Sequence, residues 1–398
     1  MRATDLQIAL RRLKSIDWDL GAAWTSQDLH DLHWYPATFP PQMPRLLVSL
    51  FSAPGAHVFD PFCGSGTTLL EAVKARRCAT GVESNPLGAM IAKAKLLHCG
   101  PEPARKRLRV WQDRVHAMAV PPGLFQRQPP GDAAAERPDN QEQCWYHPDT
   151  YRELRELWTL CRRARGDVGR LLVCVFSALL KSACGQRRHW GYVADNMKPR
   201  KPEYQPAIEL FERRLDHLGR QLELLAEQLS PWTAFEPVMR DSRVIAGDIR
   251  GLQLPSESVD LVVTSPPYAG VTDYVRAHRL SFEWLGWDLA DPEACEIGAR
   301  WKRFRQRATS DYLADMGRAF RVVFSALRMR GVCVLVIGQS RARDADREIM
   351  RSLLSTLSSL GLKEVSEPIA RERSRQRLVN REAVPSTEEI YVLQKRRR

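Results

Sequence analysis

The residues best suited to chemistry lie in VDLVVTSPPY, Val259 to Tyr268, where a hydrophobic strand runs into Ser265, Pro266, Pro267 and Tyr268. The Ser265 hydroxyl and a prolyl carbonyl supply two neighbouring hydrogen-bond acceptors. The paired prolines fix the backbone and remove competing N–H donors, and Tyr268 offers a ring on which a planar group can stack. This set suits an amino group whose lone pair is delocalised into a base such as cytosine or adenine. Such a nitrogen attacks poorly until acceptors rehybridise it and hold it in line with an activated methyl. The plainer reading is a strand that ends in a Pro-Pro turn.

A second constellation, VFDPFCGSGTTLLEA from Val58 to Ala72, is a buried strand, a tight turn and a helix that starts at the threonines. Gly64 and Gly66 permit backbone conformations and approaches that a side chain would block, and the helix start offers N–H groups to a polar ligand. The stretch lacks both GxxxxGK[ST] and a third glycine in GxGxxG spacing, which weighs against triphosphate and dinucleotide ligands. Glu83 ends the next strand, CATGVE, where a carboxylate can accept two ribose hydroxyls. A solvated turn residue or helix cap is the alternative for Glu83.

Together these stretches resemble amino-methyltransferases acting on nucleic acids, in which D-P-F-x-G-x-G-T-T is a recurrent first motif. The resemblance implies that Asp60, Phe62, Gly64, Gly66 and Thr67 surround the methionine moiety of S-adenosylmethionine. It also implies that Asp248, ending SRVIAGD, contacts the adenine, with a turn cap as the alternative. HWYPATFPPQMPRLLVSLF, His33 to Phe51, resembles the family's N-terminal cofactor-pocket motif and contributes Tyr35 and Phe39, with Thr38 where Lys is common. The tetrapeptide resembles the T-S-P-P-Y of N4-cytosine DNA methyltransferases of restriction-modification type, as against the D-P-P-Y or N-P-P-Y of N6-adenine enzymes. Cytosine N4 in a specific duplex sequence is therefore the expected target, with the base flipped out. Adenine N6, a guanine N2 in structured RNA, and a DNA-binding protein on an inactive methyltransferase scaffold are the alternatives. No Pro-Cys pair is present, so attack on cytosine C5 is not expected; Cys63 reads as a packing residue, and no metal is expected. Asp273, Tyr274 and Arg276, just past the tetrapeptide, either line the base pocket or cap and cover a helix.

The elements that must position these residues read as an α/β sheet. Strands end at Asp60, Glu83, Asp248 and Ser265, a fifth runs from Val332 to Gly338, and EEIYVLQK reads as a late edge strand. The expected fold is a Rossmann-like S-adenosylmethionine-dependent methyltransferase fold with a mostly helical insertion. Residues 1–99 hold the cofactor motifs, 100–239 a linker and target-recognition insertion, and 240–398 the catalytic motif. The linker is AVPPGLFQRQPPGDAAAERPDN. Helices are expected at Asp149 to Arg163, Arg170 to Ala183 and Pro206 to Leu229. The last carries Ile208, Phe211, Leu215, Leu218, Leu222, Leu225 and Leu229 on one stripe, which suits packing within the chain better than a coiled-coil seam.

Sixty Lys plus Arg against 47 Asp plus Glu leave a net charge of +13, which favours a polyanionic partner. In the insertion Arg187, Arg188, Trp190, Tyr192, Asn196 and Lys198 interleave basic, aromatic and amide groups, a composition suited to phosphates, base stacking and base edges. Further basic patches lie at Arg300 to Arg307 and Arg371 to Arg381, and the final KRRR reads as a disordered tail. Nine cysteines without a CxxC pair suggest neither a disulfide framework nor a zinc knuckle. With no apolar leader or spanning run, the expected setting is cytoplasmic. A monomer or homodimer is expected, with a cognate restriction endonuclease as a companion.

Overall fold

The computed structural model describes residues 2–18, 20, 28–119, 145–184, 201–229, 238, 240–339, 344–372 and 387–397. Helices α1 (Ala3–Ser15) and α2 (Gln42–Phe51) precede β1 (His57–Asp60), α3 (Thr67–Lys74), β2 (Cys78–Glu83) and α4 (Pro86–Leu96). Four helices then intervene: α5 (Pro101–Ala119), α6 (Pro148–Cys161), α7 (Gly166–Ala183) and α8 (Ala207–Leu229). The sheet resumes with β3 (Arg243–Ala246) and β4 (Val259–Thr264). Three short helices follow, α9 (Tyr274–Ala277), α10 (Arg279–Leu285) and α11 (Ala290–Cys295). The chain closes with α12 (Ala308–Ala326), β5 (Leu327–Gln339), α13 (Asp344–Leu360), β6 (Leu362–Glu364), β7 (Ile369–Glu372) and β8 (Thr387–Lys395).

The strand order is β3-β2-β1-β4-β5-β8-β6, with β7 also paired to β8. The first five strands are parallel, and β8 runs antiparallel to β5. This is the Rossmann-like methyltransferase arrangement expected from the sequence. One strand needs correcting: EEIYVLQK is not at an edge, because β5 flanks it on one side and β6 and β7 on the other. Its period-2 pattern marks a strand without naming its neighbours, and the unbroken burial of Ile390 to Lys395 reflects an interior place. The expectation of a disordered KRRR tail is corrected at its first residue, since Lys395 ends β8, is buried and donates to the Leu327 carbonyl at 2.6 Å.

Alternation along the strands divides the core in two. Val58, Leu261, Val263, Val334 and Val392 point to the face that also takes α1 to α4 and the buried stripes of α5 to α8. Phe59, Val262, Leu335 and Leu393 point to the other face, against α12 and α13. The inserted helices thus share one continuous core with the sheet. On α8, Phe211, Leu215, Leu218, Leu222, Leu225 and Leu229 are buried and Ile208 is half-buried, so the stripe serves packing within the chain. The α5 helix was not foreseen. Its sequence, PEPARKRLRVWQDRVHAMA, is so charged that only Pro101, Ala104, Leu108 and Val115 are buried.

Glu71 fastens the elements around the glycine loop. Fully buried on α3, it accepts from Arg45 Nε of α2 at 2.6 Å and Lys74 Nζ at 3.0 Å, and shares a 2.8 Å hydrogen bond with His30 Nε2. Burial alone would raise its pKa, yet these partners hold its carboxyl below the ordinary range.

Candidate active site

The parallel strands end on one edge, and a single cavity opens across it. Its walls come from the segment before α2, the loop between β1 and α3, the end of β2, the turn after β3 and the residues after β4. Of the expected cofactor residues, Tyr35, Phe39, Asp60, Phe62, Gly64, Thr67, Glu83 and Asp248 line this cavity. So do Ser265 and Pro267 of the tetrapeptide. Gly66, Pro266 and Tyr268 are not among the lining residues.

Each lining group has a traceable position. Gly64 has φ +51°, and a Cβ there would sit 3.2 Å from Tyr35 Cε1, so the backbone is kept close to the cavity wall. Gly66 serves packing: with φ +79°, its absent Cβ makes room for Ala92 Cβ, which would lie 2.8 Å away. Asp60 is buried and accepts from Phe62 N at 3.1 Å and Thr264 Oγ1 at 2.6 Å. Burial pushes its carboxyl up to about 6 despite these donors. Glu83 accepts from Gly64 N and Asn85 N, both at 2.8 Å, and burial pushes it up to about 7. Thr38, uncharged where the family motif commonly has Lys, also lines the cavity.

Asp248 lines the cavity and caps a turn as well, so the two readings of this residue coexist. Its carboxylate accepts from Arg250 N at 2.9 Å and pairs with that guanidinium, which reaches Asp315 at 2.7 Å and the Cys295 carbonyl at 3.1 Å. At the tetrapeptide, the Ser265 and Tyr268 hydroxyls lie 3.1 Å apart, and Tyr312 Oη donates to the Pro267 carbonyl at 3.1 Å. The three residues past the tetrapeptide divide. Tyr274 lines the cavity and stacks on Tyr35 with ring centroids 5.8 Å apart. Asp273 is buried and accepts from Trp301 N at 3.0 Å, while Arg276 pairs with Glu293 at 2.9 Å outside the cavity.

Glu296 was missed by sequence reasoning. It is buried and lines the cavity; Oε1 accepts from Tyr274 N at 2.5 Å, while Oε2 has no hydrogen-bond partner among the described residues. Burial pushes its carboxyl up to about 8. No spacing rule links it to Ser265, because three short helices, α9 to α11, intervene before the chain returns to the pocket. The wall therefore carries four carboxylates, Asp60, Glu83, Asp248 and Glu296, and no Lys, Arg or His among the described residues. A polar ligand with positive charge fits this donor set, as S-adenosylmethionine does. Its sulfonium and ammonium would meet carboxylates, and its ribose hydroxyls would find an acceptor in Glu83.

Arg187, Arg188, Trp190, Tyr192, Asn196 and Lys198 lie outside the described residues. No helix among the described residues is long and apolar enough to cross a membrane.

A family model described as DNA methylase, of the N6/N4 type, matches residues 12–93, the span that holds the Tyr35 segment, the glycine loop and Glu83. The Type II methyltransferase M.MvaI of Kocuria varians is 25% identical over 67% of this chain and 60% of its own length. M.MjaII of Methanocaldococcus jannaschii, also a Type II methyltransferase, is 20% identical over 75% of this chain and 70% of its own. A shorter stretch of the Type II methyltransferase M.SmaI of Serratia marcescens is 44% identical over 15% of this chain and 21% of that protein. The chain thus spans 60% of the length of M.MvaI and 70% of that of M.MjaII.

Proposed function

We infer that this chain, a member of the N6/N4 amino-methyltransferase family of restriction-modification type, moves a methyl group from S-adenosylmethionine to an exocyclic base amino group in duplex DNA, with cytosine N4 as the target. The observation that carries this reading is that Ser265 and Pro267 line the same cavity as Asp60 and Glu83. Acceptor and methyl-donor pockets must be contiguous for in-line transfer, and here they share one wall.

S-adenosylmethionine supplies an electrophilic methyl on a sulfonium. The chain's residues do the rest: Glu83 accepts the ribose hydroxyls, Asp60 and Glu296 offer negative charge to the cationic end, and the Gly64 backbone permits close approach. The target base leaves the stack, and its amino group donates to Ser265 Oγ and a prolyl carbonyl. Tyr312 donates to the Pro267 carbonyl and occupies one of its two acceptor positions, and the Pro266 carbonyl is the second acceptor in this reading. Tyr268 covers one face of the base. The nitrogen bonds to the methyl carbon as the carbon–sulfur bond breaks, and the nitrogen then loses a proton.

The choice of cytosine follows from Ser265 in the first position of the tetrapeptide. Nucleoside mass spectrometry of DNA from cells expressing the chain tests it. N4-methylcytosine is expected; N6-methyladenine would move the target to adenine, and methyl label found only in RNA would overturn the DNA substrate. Residues 100–239 are proposed to read the sequence, Arg187 to Lys198 among them, and a cognate restriction endonuclease belongs to the same reading.

A further inference from the structure

We propose that Phe304 is a wedge that enters the base stack beside the flipped target, and that the arginines around it hold the flanking phosphates. The proposal rests on the DNA reading of the active site. Phe304 is 83% exposed, whereas every other large apolar side chain among the described residues is at most 51% exposed. It ends the 3-10 turn Arg300–Phe304, a short mount held from several directions. Arg300 N donates to the Thr272 carbonyl at 3.2 Å, and Trp301 N to Asp273 at 3.0 Å. Lys302 Nζ donates to the Ala294 and Glu296 carbonyls at 3.0 and 2.6 Å.

The mount also stands at the catalytic lip. Gly270, two residues past Tyr268, is so close to the turn that a Cβ on it would lie 3.0 Å from Arg303 Cβ, and its N–H donates to the Gly298 carbonyl at 2.8 Å. The same Lys302 contacts hold the backbone of Glu296, whose side chain lines the cavity.

Charge identifies the occupant. The segment RWKRFRQR carries five Lys or Arg in eight positions, and Arg303, Arg305 and Arg307 have no carboxylate partner among the described residues. The Arg303 guanidinium lies 4.4 Å from the centroid of the Phe304 ring, and Lys302 and Arg305 lie 5.3 and 4.4 Å from that of Trp301 on the same turn, so positive potential is concentrated at the exposed phenyl ring. Phosphates on both sides of an unstacked step match that potential, and an apolar ring inserted there fills the gap a departing base leaves.

The test uses the full chain and the recognition duplex found by sequencing genomic DNA that the wild type has methylated. Phe304→Ala is expected to lower kcat/KM on the paired target by about tenfold or more, and to return to within about twofold of wild type when an abasic site faces the target. Phe304→Trp is expected to keep activity on both duplexes, and S-adenosylmethionine affinity to be unchanged in both variants. An equal loss on paired and abasic duplexes, or no loss on either, overturns the wedge. Wild type that methylates no DNA overturns the substrate reading, and the wedge falls with it.

Discussion

The Thr264 hydroxyl donates to the Asp60 carboxylate across 2.6 Å, joining the residue before Ser265 to the residue that opens the glycine loop. Two motifs far apart in sequence thus share one buried hydrogen bond, and cofactor loop and catalytic turn cannot shift independently.

Thr264→Val removes that donor and leaves the shape nearly unchanged. A buried carboxylate losing a donor costs about 1.5–3 kcal/mol, which denaturant unfolding should read. S-adenosylmethionine affinity is expected to fall with it. Unaltered stability and affinity would mean that the contact does not couple the motifs.

Burial raises Asp60 to about 6, Glu83 to about 7 and Glu296 to about 8, and no cation lines their cavity among the described residues. The folded protein therefore holds more protons than the unfolded chain. The stability these groups contribute is full below their ordinary pKa values and is lost as pH rises to about 8. A cationic ligand works the other way, gaining affinity as the carboxyls ionise. Calorimetry between pH 6 and 8 should show S-adenosylmethionine binding more tightly and releasing protons. S-adenosylhomocysteine, without the sulfonium charge, should change less. Glu296→Gln should flatten the upper part of the curve; a profile identical to wild type would rule Glu296 out of the charge balance.

Ser265→Ala should lower the rate of methyl transfer by about 10²–10³ with little change in cofactor affinity, as expected for an acceptor used chiefly in the transition state. Tyr268→Phe keeps the stacking ring and loses the hydroxyl with its 3.1 Å contact to Ser265, so it should be far milder than Tyr268→Ala. Single-turnover kinetics separate these outcomes, and equal effects would remove stacking from the account.

Gly66→Ala places a methyl 2.8 Å from Ala92 Cβ at a φ of +79°. Overpacking of this kind costs about 1–3 kcal/mol before strain is counted. A lower unfolding midpoint is expected even without cofactor, since the contact is between the residue that caps α3 and α4. A variant as stable as wild type that no longer binds cofactor would instead put Gly66 in direct contact with the ligand.

The cofactor half of the site was legible because its residues sit on consecutive elements. Asp60, Gly64 and Thr67 lie on one strand–turn–helix unit, and Glu83 ends the adjacent strand in register, with Asp60 opposite Gly81. Ser265 was legible because its strand and turn are self-contained. Glu296 was not, since a single buried acid at the end of a short helix has no periodicity and takes its place through contacts with Tyr274 and Lys302. The interior place of β8 escaped for a related reason: alternation reports burial on two faces and leaves strand order to the tertiary fold. Tyr312, which donates to the Pro267 carbonyl, carries no mark of that contact in the sequence, since it lies with the other buried residues of its helix.

The pairing of Glu83 with Ala246 spans about 160 residues, so β3 can join the sheet only after a long loop has closed around α5 to α8. Everything from β1 to β2 is local and can form early, whereas the wall that carries Asp248 must wait for the inserted helices to settle. During synthesis the glycine loop would thus exist before it can hold a ligand tightly. Cofactor capture would follow the arrival of the chain up to Ile297, and S-adenosylmethionine would clasp β3 to a sheet whose later strands, β5 and β8, come after the pocket in the sequence.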